Sequence, residues 1–597
     1  MKLSILASVS AVALFAAGAA SAQSNNNSTV LQTGNNNKAE STQTASTSGK
    51  SYIEQVTATN QAQLTQSGTS AESYITQRGG TNNRAEVTQN GDSYSSVLQN
   101  GAYNDANVSQ NGAGNESYVD QTGFGNDLGN PSGLEGAAPN ASGGVSQLGD
   151  NNYSSVKQAN GGDARVNQVN NAAGAEGNTS YVDQNSNDGF INVQQTGENT
   201  STVIQNADRG GNPASNPTIY VTQNGSLNTS FVNQEAAADG SDASVFQLGD
   251  RNDSQLTQLN GSNNAGGEYN ARGGVDQIGN DNVSRLSQSG GATADLRQAG
   301  NSNMSIINQL PGGRADVQQN SNDNYSNVDQ RAAGTTSIVR QSGNNGVGIV
   351  DGRENNVSNI LQEAGSTGAS ASVTQAGNLN SSLIYQGAAA SAKVSQEGTF
   401  NTSTIDQDTA SSASVTQGGE YGDNLSYILQ TGGSDGSSAS VWQSSDSTQF
   451  AAPSNNSNIE QRGADSKAFV TQIGDDNAST LLQSGAGNTA YVGQGGQRFG
   501  QLRPLALGAG TTESTSFVNQ TGDRNFAELS QTGLSNDSNI LQSGADNGAE
   551  VTQGGSNNYS FVDQSGNNNT ADVTQMNASS QSYVYQVGNG NSAIVNQ

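Results

Sequence analysis

Glutamine recurs every eleven residues along the C-terminal part of this chain: Gln520, Gln531, Gln542, Gln553, Gln564, Gln575, Gln586 and Gln597. Two residues before each stands an aliphatic: Val518, Leu529, Ile540, Val551, Val562, Val573, Val584 and Val595. Four residues before each stands a small residue that alternates: Ser516, Ala527, Ser538, Ala549, Ser560, Ala571, Ser582, Ala593. Six residues before most of them is Asn (Asn525, Asn536, Asn547, Asn558, Asn569, Asn591), with Ser514 and Ser580 taking that place in the other two. A repeat of this kind constrains architecture before local propensity is considered. We count 47 such units ending between Gln32 and Gln597, two of them degenerate, around Gln43 and Gly352. The Ser/Ala alternation begins at Ser28 and Ala39, so the structural repeat is a pair of units of about 22 residues.

Asn, Ser or Ala, aliphatic and Gln stand at every second position, which is the period of a strand. These four residues share one face, and the residues between them share the other. The small and aliphatic slots hold no Asp, Glu, Lys or Arg. The intervening slots do: Glu54, Asp120, Lys157, Asp183, Arg297, Asp329, Arg340 and Asp406 in one column, Glu86, Arg165, Asp316 and Glu550 in the other. The aliphatic face is therefore expected inside and the charged face in water. Gly and Asn between strands tolerate positive φ and suit tight arcs. Spacing widens to 26 between Gln121 and Gln147, and between Gln494 and Gln520, yet the alternation keeps phase: Ser117, Gly143 in the Ala slot, Ser154; and Ala490, Ser516. Both insertions, at about 124–140 and 496–512, are expected in arcs. So are smaller excursions near 169–178, 206–217, 259–271 and 444–456.

These features predict an all-β chain: a β-solenoid (β-helix) of about 23 stacked two-strand coils, cross-β and amyloid-like. At about 4.8 Å per coil the stack would extend on the order of 110 Å. The composition fits such a thin interior: 31% hydrophobic residues cannot fill three or four conventional cores, whereas each coil of a solenoid needs only two aliphatics. Stacked Asn and Gln amides can bond along the axis. The candidate functional surface is the inward ladder of the most regular coils: Ser560, Val562, Gln564, Asn569, Ala571, Val573, Gln575, Ser582, Val584, Gln586, Asn591, Ala593, Val595 and Gln597. Its arc glycines are Gly566, Gly588 and Gly590. The strand from Asn591 to Gln597 is expected to offer an unpaired edge, which templates further strands.

Met1-Lys2, an apolar stretch from Leu3 to Ala19 and Ala20-Ser21-Ala22 read as an export signal over 1–22, with the mature chain beginning at Gln23. Residues 23–50 read as degenerate N-terminal repeats and 51–597 as the solenoid. No later run is apolar enough to span a membrane after signal cleavage. With no Cys and no His, disulfides, thiolate chemistry, imidazole bases and common zinc sites are excluded. A net charge of −29 argues against nucleic acid as a partner. No catalytic, cofactor-binding or metal residue is expected.

The last coil, Ser580, Gln586, Gly588, Gly590, Asn591, Ala593 and Gln597, matches the repeat S-x5-Q-x-G-x-G-N-x-A-x3-Q of the curlin family. An earlier coil carries Asn558 for the first Ser and Asn568 for the second Gly, then matches at Gln564, Gly566, Asn569, Ala571 and Gln575. The chain resembles the secreted subunits of curli amyloid fibres over nearly its whole mature length, but is far longer than a familiar curlin. The resemblance implies an extracellular functional amyloid of the cell surface, serving biofilm matrix, adhesion and cell aggregation. It implies self-assembly end to end, co-assembly with other curlin subunits, and export by a curli-type channel with helper proteins.

Other readings are weaker. A polysaccharide-cleaving β-helix enzyme needs clustered carboxylates, and those here are scattered singly. A calcium solenoid needs a nonapeptide repeat that Gly161-Gly162-Asp163 and Gly474-Asp475-Asp476 do not continue. An ice-binding face needs unbroken Thr columns. The alternative kept open is a soluble, non-polymerising solenoid adhesin or matrix protein, weakly calcium-binding at its acidic arcs. Tyr52, Tyr74, Tyr118, Tyr181, Tyr427, Tyr491 and Tyr583 share one outer slot; β propensity accounts for them more simply than a sticky surface does.

Overall fold

The computed structural model describes all residues except 1–24, 45, 129–143, 171–175, 187–188, 207–216, 236–240, 260–263, 266–273, 344–355, 420–422, 446–454 and 496–510. The expected export signal lies outside the described residues. The chain divides into two compact units, Met1–Asp295 and Leu296–Gln597. In each, every described element is a β-strand, and each is a parallel β-solenoid.

Most strands do not pair with their sequence neighbours; the exceptions involve Phe190–Gln205 and Thr218–Gln234, long strands that each span both sides of a coil and stack on one another. Each strand pairs in parallel with the strand one coil away, so like side chains stack on like. In the first unit Ser51, Ile53 and Gln55 lie against Ser73, Ile75 and Gln77, and Ala62, Leu64 and Gln66 against Ala85, Val87 and Gln89. In the second, Ser560, Val562 and Gln564 lie against Ser582, Val584 and Gln586. A coil thus has a Ser-bearing strand facing an Ala-bearing one. Parallel ladders suit a repeat, because an in-register step of one coil satisfies every slot together.

Burial follows the period of two. Ser560, Val562 and Gln564 are buried while Tyr559, Phe561 and Asp563 between them are only half-buried. Complete burial of a Val or Ile contributes about 1.5–3 kcal/mol, and with so few per coil the polar ladders carry much of the cohesion. In the arcs, Gly544 and Gly566 take φ of 103° and 117°. A Cβ on either would stand 2.1 Å from the carbonyl oxygen of the next arc's glycine. Both the conformation and the close approach therefore require Gly.

The coils number about 21, against the sequence count of about 23. Coils containing residues 129–143, 260–273 or 344–355 are incomplete among the described residues. One expectation is overturned. The first long insertion does not lie in the arc at about 124–140. Asp127–Leu128 is already strand, with Leu128 against Ala106, and Val145–Leu148 resumes with Val145 against Val108. Leu128, fully buried, fills the Ala slot that spacing assigned to Gly143. The excursion near 259–271 behaves alike: Ala265 pairs with Ala243 and Val275 with Val245. Both insertions leave from the outward position between the small and aliphatic slots, so the inward ladder keeps its phase. Spacing alone cannot tell this from a longer arc.

Candidate functional site

The repeated surface of this protein is the face that one coil offers the next. Gln is buried in nearly every coil because its amide meets two needs. Gln564 Nε2 donates to Gln586 Oε1 of the next coil at 2.8 Å and to the Gly548 carbonyl of the facing sheet at 2.9 Å. Gln575 Nε2 does the same to Gln597 Oε1 and the Tyr559 carbonyl, both at 3.0 Å. The ladders repeat: Gln520 to Gln542 to Gln564 at 2.9 Å each, and in the first unit Gln55 to Gln77 to Gln99 at 2.8 Å each. All of these donate toward the C-terminal coil.

The Asn ladder runs the other way. Asn569 N–H donates back to Asn547 Oδ1 at 3.0 Å, and its Nδ2 to the same oxygen at 3.1 Å. Asn591 repeats both bonds onto Asn569 Oδ1, at 3.0 and 2.9 Å. A coil's C-terminal face therefore offers Gln N–H donors and Asn carbonyl acceptors, and its N-terminal face offers the complement. Two like faces would set donor against donor.

The expected ladder residues sit as follows. Ser560, Val562, Gln564, Asn569, Ala571, Val573, Gln575, Ser582, Val584 and Gln586 are buried, at 5% exposure or less. Asn591, Ala593 and Val595 are half-buried and Gln597 is exposed. Their strands, Gln581–Val587 and Ser592–Asn596, pair on one edge only among the described residues. At the other end Asn27–Gln32 and Lys38–Gln43 do likewise, with Val30 and Leu31 exposed. Gly566 stacks on Gly588; a Cβ on Gly590 would meet nothing within 4 Å. The facing-sheet carbonyl of each Gln was not legible, since it depends on the offset between the two sheets.

Charged groups lie outside. Arg524 pairs with Asp546 at 2.8 Å and Arg251 with Asp281 at 2.6 Å across successive coils. Hydrogen bonds from these guanidinium groups hold both carboxyls below the usual carboxylate range. Asp105 is the opposite case: burial, reinforced by the stacked carboxylate of Asp127 and opposed by Arg84, pushes it up to about 6. Among the described residues no group of three or more Asp, Glu, His or Cys side chains could hold a metal ion. Nor, among the described residues, is any helix long and apolar enough to cross a membrane.

A family model described as "Curlin associated repeat" matches residues 80–112, 101–129, 463–496 and 544–576. No curated protein matches the chain significantly. The matched segments lie on the stacked coils of both units, and the last contains the Gln564, Asn569 and Gln575 ladder positions. The chain carries curlin-associated repeats in these four segments.

Proposed function

We propose that this protein is a structural subunit of an extracellular curli-like fibre, joined head to tail through its terminal coils and serving biofilm matrix, surface adhesion and cell aggregation. One observation carries the reading: the two faces of a coil are complementary to each other and not to themselves. A surface of that kind joins chains heterologously and does not close. The edges of Gln581–Val587 and Ser592–Asn596 that have no partner strand among the described residues supply backbone donors and acceptors for it. Other curlin subunits, sharing the repeat, fit the same face. Export through the leader at 1–22 and a curli-type channel with helper proteins belongs to this reading.

The test is assembly of purified chain lacking 1–22. The reading expects concentration-dependent fibres, seeded growth, and meridional diffraction near about 4.8 Å. A chain that keeps its β-sheet circular dichroism and stays monomeric at every concentration is instead a soluble solenoid adhesin.

A further inference from the structure

Six successive coils of the first unit carry one tyrosine each on the outer face of the Ser-bearing sheet: Tyr52, Tyr74, Tyr94, Tyr118, Tyr153 and Tyr181. Two columns supply them. Tyr52 lies against Tyr74. The same column then holds Ser96, then Tyr118, Ser155 and Tyr181. Where it drops to Ser96 or Ser155, Tyr94 or Tyr153 stands two residues earlier in the same strand. Following a single column misses these two; counting aromatics per coil finds them. The rings form an unbroken zigzag with centroids 6.3, 5.8, 5.2, 5.8 and 5.3 Å apart. β propensity does not explain why one column fills the gaps of the other.

Three of the six hydroxyls have carboxylates beside them. Tyr52 donates to Glu54 at 3.4 Å, Tyr74 to Glu72 at 3.5 Å and Tyr118 to Glu116 at 3.4 Å. Tyr118 and Tyr181 are 37% and 45% exposed, within reach of a small oxidant. Outside the ladder Tyr103 faces Phe124, Tyr220 faces Phe190 and Tyr585 faces Phe561; in the second unit Tyr559 and Tyr583 form a single separate pair at 5.5 Å.

We propose that this ladder is an oxidative cross-linking site, at which tyrosines of successive coils are joined as dityrosine, Tyr94 to Tyr118 and Tyr153 to Tyr181 before the wider pairs. The co-reactant is an external one-electron oxidant, such as a haem peroxidase supplied with hydrogen peroxide. Each phenol loses one electron to the oxidant and its hydroxyl proton to the neighbouring carboxylate or to water. The two phenoxyl radicals form one carbon–carbon bond between ortho positions. The hydrogens on those carbons then move to the oxygens as the rings regain aromaticity. Two electrons and two protons reduce the peroxide to two waters. Rings held in contact react far faster than rings that must meet by diffusion. The product would tie coils together in a chain that has no Cys, restricting its unfolded state as a disulfide does.

The test is brief treatment of dilute, monomeric full-length chain with peroxidase and hydrogen peroxide, followed by protease digestion and mass spectrometry. The expected result is dityrosine fluorescence, intrachain peptide pairs dominated by Tyr94–Tyr118 and Tyr153–Tyr181 with the isolated Tyr559–Tyr583 pair beside them, and a raised denaturant midpoint. Tyr118→Phe should abolish the Tyr94–Tyr118 product while circular dichroism stays unchanged. Cross-links mainly between chains, or at Tyr103, Tyr220 and Tyr585 as often as in the ladder, would overturn the proposal. So would the absence of dityrosine. Because the chain is monomeric in this assay, the outcome is independent of fibre formation.

Discussion

Asp105 stands on the outer face, stacked between Arg84 of one coil and Asp127 of another. Arg84 Nε lies 3.6 Å away, and both side chains are more than four-fifths buried. Desolvation and the second carboxylate outweigh this cation, so the carboxyl titrates near 6 rather than 3.8. A raised folded-state value means the fold binds the proton more tightly than the unfolded chain does. The contribution at this site therefore grows as pH falls through about 6, and levels off below 3.8. Its full size is on the order of 3 kcal/mol. Denaturant unfolding at pH 7.5 and pH 5 should show the first unit more stable at the lower pH, and Asp105→Asn should stabilise it at pH 7.5 and flatten the difference. Equal slopes in parent and variant would refute this. The inward slots obey a stricter rule. Several buried Ser hydroxyls, among them Ser117, Ser154 and Ser538, find no hydrogen-bond partner among the described residues. That slot selects for small volume, which Ser meets on one strand of the coil and Ala on the facing one.

At the scale of the element, a strand tolerates a loop in its outward slot. Removal of 129–143 would join Leu128 to Gly144 and Val145, leaving one residue between the small and aliphatic slots, as in the neighbouring strand where Asn107 separates Ala106 from Val108. We expect this deletion to leave β-sheet circular dichroism intact and the melting temperature unchanged or higher, since it removes a long loop-closure cost. A collapse of the signal would mean that the insertion itself holds the coil. Removal of 124–140 instead takes out Asp127–Leu128 and should be harmful. The comparison shows what the sequence made legible. Strand period, inside and outside, coil pairing and the amide ladders all follow from slots that repeat, because a repeat reports the same environment many times over. The placement of 129–143 did not follow, because an outward slot and an arc both preserve phase. Nor did the continuity of the tyrosine ladder, because it crosses two columns and closes only when coils are stacked in register.

For the whole molecule, a net charge of −29 keeps copies apart at low salt, and association must come from faces that are short in range and exact in register. The arc glycines offer a way to block one such face. Inside the stack a Cβ on Gly566 would meet the Gly588 carbonyl oxygen at 2.1 Å, whereas a Cβ on Gly588 would meet, within 4 Å among the described residues, Asn591 Nδ2 alone, at 3.8 Å. Ala at 588 has the room but not the easy conformation: its φ of 101° lies beyond the αL region, where the cost is about 1–2 kcal/mol, so the strain exceeds that figure but is confined to the last arc, and the methyl would stand where an incoming arc carbonyl must lie. Gly590 is the control for a methyl added in the same arc at a milder positive φ. It too has a positive φ, 71°, but its slot one and two coils back holds Asn568 and Asp546 in the same conformation, at 55° and 58°. A side chain is thus already accommodated there between coils. In seeded growth, Gly588→Ala should join fibre ends through its N-terminal face and then stop them, poisoning elongation at substoichiometric amounts. Gly590→Ala should elongate like the parent, and both should keep parental circular dichroism. If Gly588→Ala elongates normally with its fold intact, the C-terminal coil is not a growth face, and the surface must be sought on Asn27–Gln32 and Lys38–Gln43. If both variants fail alike, left-handed strain rather than the blocked approach is responsible, and complementary coil faces lose their support as the basis of assembly.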